Sequence, residues 1–548
     1  MSTTATATTT ISPSQLPQTY PNALHLLSLL PTNREVTDLF AGAEGGGPGK
    51  DKDDLNARAI PEVVAWLARA GYEPADLARR GVRCVHVAGT KGKGSACAFL
   101  TAALLAHGDA AGRVGTYTSP HVVSVRERIL LDGRPVGRDV FARAVFEVWR
   151  RLTRAAEEAA GGAGAVPPEG GYDGPGTKPF YFRFLTLVAF HVFAQEGVRS
   201  AVVECGIGGE YDPTSAVLPA EAVTASVVTR LGVDHVAMLG GTVEEIAWHK
   251  AGVFRRGRAA FTVGLPGQEQ ERALAVLRAR AEDKGARLRV LDGAEVERWA
   301  GVGEGARLRG GFQKYNMAVA AAAAMEHLRV LKGEEEEDGD DDDMGEAFFS
   351  LDDIPPSFKE AMRGATLRGR CETIREEGGG GMEWLLDGAH TADSLAEVSR
   401  LFLAARPRTD GALRILIFNQ QERDVAALLR SMLASSDDGD GDGEGAATTT
   451  TTTAAAAAFD LAIFTRNDAA PTPAGEPPRE TSVQQAAREV FHGLCPGAAT
   501  AVADNVAEAV RFARSACEEK GKGGYVLVTG SFNLVRPALQ MLDPDCED

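Results

Sequence analysis

Short apolar runs alternate with stretches of helical periodicity along most of this 548-residue chain. Val82 to Ala88, Ser200 to Glu204, Ala222 to Thr229, Arg414 to Phe418, Leu461 to Thr465 and Tyr525 to Thr529 are short and nearly continuous in apolar character, which predicts strands buried on both faces. Thr186 to Gln195 and Val425 to Leu433 carry helical patterns between them. The alternation predicts an α/β fold with mainly parallel sheets covered by helices, and ligands at the carboxyl ends of the strands. Four stretches interrupt it: residues 1–18, 161–176, 333–345 and 435–458. They hold few large apolar groups to offset the entropy of ordering, so they predict a disordered tail and three solvated inserts. What remains divides into a domain over 19–364 and a smaller one over 365–548.

Composition narrows the function classes. The formal charge is −18, but the runs Glu334 to Asp343 and Asp437 to Glu444 hold fourteen acidic residues and leave the rest at −4. A nearly neutral body has no electrostatic footprint for nucleic acid, so small molecules are the expected partners. Seven cysteines without a C-x-x-C pair argue against a disulfide framework or zinc site and fit a reducing compartment. No run approaches the roughly 18 apolar residues of a membrane helix. The first 33 residues contain no Lys or Arg, unlike a secretory or mitochondrial leader. A cytoplasmic protein is expected, with a mitochondrial form left open.

The richest chemistry lies directly after the Val82 to Ala88 run, in Gly89-Thr90-Lys91-Gly92-Lys93-Gly94-Ser95. Glycines ending a strand let the backbone turn tightly, and the amides that open the next helix face an anion. Lys93 adds a mobile charge suited to β- and γ-phosphates, and Ser95 precedes a helix predicted over Ala96 to Leu104. Gly94 separates the lysine from the serine and Val87 replaces the usual first glycine, so a plain Gly-rich turn with a surface lysine is the competing reading. Glu204 ends a second apolar strand, and a buried carboxylate there requires a cation or a hydrogen-bond cluster. Beside a triphosphate, Mg²⁺ suits it. Thr242 and Glu245 form a capping-box pattern that places Lys250 one turn beyond Ile246, on the apolar side of a helix. For Lys250 the ordinary alternative is a snorkelling lysine, and for His235 a structural role.

Together these segments resemble the folylpolyglutamate synthase family of Mur-type ATP-dependent amide ligases. The matching text comprises the Gly89 to Ser95 loop, Thr118-Ser119-Pro120-His121 with Val125 to Ile129, Tyr181 to Thr186, Glu204 to Asp212 and Leu231 to His235. It continues through Ile246 to Phe254, Gln313-Lys314-Tyr315-Asn316, Asp387-Gly388-Ala389-His390-Thr391 and Thr529-Gly530-Ser531. The resemblance implies a P-loop-type ATPase domain with a mainly parallel sheet and a smaller Rossmann-like α/β C-terminal domain, with the nucleotide clamped between them. It implies that Gly89, Thr90, Lys91, Gly92, Lys93, Gly94 and Ser95 hold the ATP phosphates. Ser119, Glu204 and His235 would ligate magnesium, as two ions, and a carbamylated Lys250 would help hold the second. Asn316 would contact adenine, Arg370 the phosphates and Asp387 the ribose, while His390 and Ser531 would serve the incoming L-glutamate. Tetrahydrofolate and its polyglutamates are the implied acceptors, a monovalent cation is compatible, and a monomer is expected.

Three positions depart from the family's text: Ser215 for Asn after Asp-x-Thr, Phe532-Asn533 for Leu-His, and Leu367-Arg368-Gly369-Arg370 for the Pro-Gly-Arg segment. Two other readings are weighed against polyglutamylation. Dihydrofolate synthesis would use the same phosphate machinery on dihydropteroate. A P-loop phosphotransferase or motor-type NTPase would leave Lys250, the Asp387 to His390 text and a separate C-terminal domain without a use.

Overall fold

The computed structural model describes residues 12–32, 52–161, 168, 170–334, 350–376, 381–407, 409–421, 424–434, 458–473, 475–477 and 479–543. The chain forms two units: Met1–Pro120, Arg126–Gly303 and Lys314–Met362 make the first, and His121–Val125, Glu304–Gln313 and Arg363–Asp548 the second. The expected boundary at 364/365 falls beside the observed division at 362/363, yet two earlier segments also belong to the second unit. Val122 and Val123 show why for one of them: they are buried in the second unit's core.

The first unit is built on β1 (Arg83–Ala88), β2 (Val114–Tyr117), β3 (Ile129–Leu131), β4 (Arg134–Pro135), β5 (Ser200–Glu204), β6 (Val223–Val228), β7 (Ala259–Gly264) and β8 (Arg287–Asp292). Their order is β4-β3-β2-β5-β1-β6-β7-β8, parallel except at the β3 and β4 edge. β1, with β5 and β6 on either side, is buried along almost its whole length, as its run of apolar residues requires. The second unit carries β9 (Glu372–Arg375), β10 (Met382–Leu386), β11 (Leu413–Phe418), β12 (Leu461–Thr465), β13 (Ala499–Ala503) and β14 (Gly524–Thr529). Their order is β13-β12-β11-β14-β10-β9, with only β9 antiparallel. One core joins this sheet to the helices Val506–Lys520 and Phe532–Leu542, and another to the helices Ala392–Ala404, Val425–Ala434 and Ser482–Leu494. The fold is thus α/β, as the alternation predicts.

Differences from the sequence reading are local. The helix expected over Ala96 to Leu104 spans Lys93–Leu105, because Gly92 adopts the left-handed conformation (φ 95°) and completes the turn early. The helix expected from Thr186 begins at Tyr181. The tail and first insert require a larger correction. Residues 1–11, 162–167 and 169 lie outside the described set, but Pro13–Gln15 form a 3₁₀ turn and Asp173 gathers its surroundings. The Asp173 carboxylate accepts from the Ser12 hydroxyl, from Ser14 N at 2.7 Å, from Trp149 Nε1 at 3.0 Å and from Thr153 Oγ1 at 3.0 Å. A polar stretch can therefore be ordered by one carboxylate that collects donors, and apolar counting misses it. Most of the remaining inserts, 335–349 and 435–457, lies outside the described residues.

Candidate functional site

In the first unit, the chain leaving β1 turns at Gly89 with φ 143°, where a Cβ would lie 1.9 Å from Thr229 Oγ1. The loop then rests on the segment after β6: Thr90 N and Lys91 N both donate to Arg230 O at 3.1 Å, and Thr90 Oγ1 donates to Gly232 O at 3.0 Å. At Gly92 a Cβ would lie 2.2 Å from Oδ1 of the buried Asn316, so the loop and the helix Gln313–Leu331 meet at a position that admits no side chain. Sequence reasoning found the glycines but not Thr229 or Arg230, whose roles come from a side chain and a carbonyl that no motif marks.

Two ammonium groups converge on one carbonyl. Lys93 Nζ donates to Gly89 O at 3.1 Å, and Lys250 Nζ donates to the same oxygen at 2.8 Å. Lys250 is only 3% exposed, at the end of the helix Val243–Lys250 that the Thr242–Glu245 capping box opens. Burial, reinforced by the neighbouring Lys93 charge, pushes its pKa down to about 7. Glu204 is buried at the carboxyl end of β5, and its Oε2 accepts from Ser119 N at 3.1 Å. His235, half-exposed and left-handed (φ 51°), has its imidazole pKa lowered by desolvation; Asp234 opposes the shift, and Lys250 and Lys93 add to it. The structure therefore brings Gly89, Gly92, Lys93, Lys250 and Asn316 to one loop and pairs Ser119 with Glu204.

In the second unit the expected site residues gather where β10 ends. Asp387 is buried; its Oδ2 accepts from Cys371 N at 2.8 Å and its Oδ1 from Ala389 N at 2.8 Å. Burial raises its pKa, opposed by the Arg370 charge and these hydrogen bonds. His390 Nδ1 donates to Gly388 O at 2.9 Å, so in the neutral ring Nε2 is left as an acceptor. Ser531 caps the helix Phe532–Leu542, its Oγ accepting from Leu534 N at 3.2 Å, and Gly530 N donates to Ala389 O at 3.1 Å. Arg370, Asp387, His390 and Ser531 thus share one end of the six-stranded sheet. Cys371 escaped the sequence reading, since its backbone N–H does the work.

A folylpolyglutamate synthase from Neurospora crassa is 35% identical over 553 residues, covering 96% of this chain and 92% of that protein. The chain belongs to the folylpolyglutamate synthase family. A folylpolyglutamate synthase from Saccharomyces cerevisiae is also 35% identical, over 76% of this chain and 69% of its own length. The profile of a family described as dihydrofolate synthetase, C-terminal domain, matches residues 371–440. Among solved structures, Mycobacterium tuberculosis folylpolyglutamate synthase complexed with ADP shares the family fold with TM-score 0.60 at 20% identity, covering 90% of this chain and 97% of that one. An FPGS–AMPPCP–folate complex aligns with TM-score 0.58 at 21% identity, over 96% of this chain and 100% of its own.

Proposed function

We propose that this ligase adds L-glutamate to the γ-carboxylate of tetrahydrofolate and its polyglutamates, with ATP converted to ADP. The relatives are named for this activity, and fold neighbours hold ADP or AMPPCP and folate. The observation that carries the nucleotide part is Lys93, held at Gly89 O where the helix Lys93–Leu105 opens, so that its cation and the helix-opening amides suit a polyphosphate.

A carboxylate is a poor electrophile until one oxygen becomes a leaving group. The folate γ-carboxylate would attack the γ-phosphorus of ATP, and ADP would leave with Lys93 neutralising charge on the transferred group. The glutamate amine would then attack the acyl phosphate carbon and expel phosphate. His390 Nε2, the free acceptor, would take the proton, and Ser531 would orient the glutamate. Asn316 lies at the glycine loop on the side proposed for adenine; Arg370 would meet phosphate and Asp387 the ribose.

The residues around Glu204 fit magnesium. A carboxylate and the Ser119 hydroxyl are hard oxygen donors, and the described residues contain no group of three His, Cys, Asp or Glu that could form a dedicated cage. Glu204, Ser119 and His235 would hold an ion arriving with the nucleotide. Bound there, magnesium supplies Lewis-acid stabilisation of phosphoryl charge. A second ion would need Lys250 as a carbamate, and the lowered pKa favours the neutral amine that reaction requires.

The dihydrofolate synthetase description of the 371–440 profile favours a second reading, dihydropteroate as acceptor. Purified protein with Mg-ATP and glutamate, offered tetrahydrofolate or dihydropteroate, separates the two when products are weighed. Glutamate added to tetrahydrofolate is expected; exclusive use of dihydropteroate would replace the reading. The described helices include none long and apolar enough to cross a membrane. A cytoplasmic location and a monomeric state complete the proposal.

A further inference from the structure

The segment Leu367 to Arg370 and the dipeptide Phe532-Asn533 depart from the family's text at separate places in the sequence, yet the second unit packs them together. The Phe532 ring lies under the Arg370 guanidinium, 4.5 Å from carbon to ring centroid. The ring also packs against the apolar core of the second unit, and two glycines leave room for it: a Cβ at Gly388 would lie 2.5 Å from the ring, and one at Gly369 would lie 3.4 Å from it. The ring is therefore held by the core and the two glycine positions, with the Arg370 guanidinium over its face. Arg368 anchors the same turn by donating to Glu372 Oε1 at 2.5 Å and to Asp543 Oδ2 at 2.7 Å. Gly369 N donates to Glu372 Oε2 at 2.8 Å, and Gly388 N donates to Gly369 O at 3.0 Å. A turn that carries arginine instead of proline at position 368 is thus held by ion pairs.

Arg370 itself is treated differently. Among the described residues its guanidinium N–H groups donate to no protein acceptor, and no carboxylate lies within 4.0 Å of it. An aromatic face attracts a guanidinium electrostatically but offers it no oxygen acceptor and no opposite charge, so the cation keeps its charge and hydrogen-bonding capacity for a ligand. We infer that Phe532 is a positioning residue that holds Arg370 with its donors free for an anionic phosphate of the nucleotide. The inference rests on the reading of Arg370 as a phosphate contact. A carboxylate partner would fix the side chain equally well but would neutralise it; a leucine would leave it mobile.

The test is calorimetric binding of Mg-ATP to the full chain, with melting points to confirm folding. Phe532→Leu is expected to weaken binding about fivefold, the size of a partly exposed cation–π contact, while Phe532→Tyr retains wild-type affinity. In an Arg370→Ala background, Phe532→Leu is expected to add nothing. An equal loss from Phe532→Leu with and without Arg370, or failure of Phe532→Tyr to rescue, would overturn the platform while leaving the phosphate contact intact. Unchanged binding in Arg370→Ala would instead overturn the phosphate contact, and the platform's role with it. Glutamate KM separates a general disturbance of this sheet end from a nucleotide effect: it should remain within twofold in Phe532→Leu.

Discussion

β1 and β10 each run parallel to a neighbour in their own sheets, and the residues that follow their carboxyl ends carry opposite charge. After β1 the backbone turns through glycines whose carbonyl already draws two lysines. After β10 the first residue is a buried aspartate whose oxygens collect backbone N–H groups. Topology supplies a ligand-facing strand end in both units, and the residues placed there decide what it can hold. The first suits polyanions. The second suits hydroxyl donors such as a ribose, because a carboxylate accepts and its desolvation is offset by Cys371 and Ala389. Exchanging charge at either end should therefore damage different steps.

The largest effect is expected from Lys93→Ala. Turnover should fall about a thousandfold, the scale of losing a preorganised charge at a developing anion, with the melting point nearly unchanged. Steady-state ADP release measures it, and wild-type turnover would erase the contrast between the two strand ends. Gly92→Ala should follow. It places a side chain at φ 95° against Asn316, so ATP affinity should fall at least tenfold and stability by about 1–3 kcal/mol, read by calorimetry and denaturant unfolding. Asp387→Asn preserves shape but not charge. It should weaken ATP about tenfold while 3′-deoxy-ATP binding changes little; equal losses for both nucleotides would remove the ribose contact.

The two ends were not equally legible in the sequence. Gly89 to Ser95 is contiguous, and glycine at a strand end followed by lysine has few other uses, so the loop, the strand before it and the helix after it could all be read together. Lys250 could be placed by the capping box and helical spacing alone. The second end is assembled from Arg370, Asp387 and Ser531, separated by a strand or by several, and spacing carries no information about such distances. There the family resemblance supplied the residues, and only coordinates show Phe532 under Arg370 or Cys371 on Asp387. Among the described residues, eight strands lie outside the predicted runs, and four of them, β2, β3, β4 and β9, are two to four residues long, too short for any period to register.

The smallest effect concerns what stiffens each sheet. The first unit encloses His327, fully buried, with Nδ1 2.7 Å from Thr224 Oγ1 and Nε2 2.9 Å from Ser200 Oγ, bridging β5 and β6 to the helix Gln313–Leu331. Burial, with help from Arg199 and Arg83, pushes its pKa down to about 3. His86 in β1 is shifted the same way by burial. An unfolded histidine takes its proton near pH 6.5, so between that pH and 3 the unfolded chain binds more protons and stability falls with pH. From pH 7.5 to pH 5 the loss attributable to His327 is about 2 kcal/mol. His327→Gln keeps a hydrogen-bonding side chain that does not titrate, so its unfolding free energy should lose about 2 kcal/mol less over that range. Hydrogen exchange resolved by peptide should place the acid-sensitive opening in the eight-stranded sheet, since neither histidine belongs to the six-stranded one. The same acid slope in His327→Gln as in wild type would mean that His327 takes its proton as readily in the folded chain as in the unfolded one, and would remove this difference between the sheets.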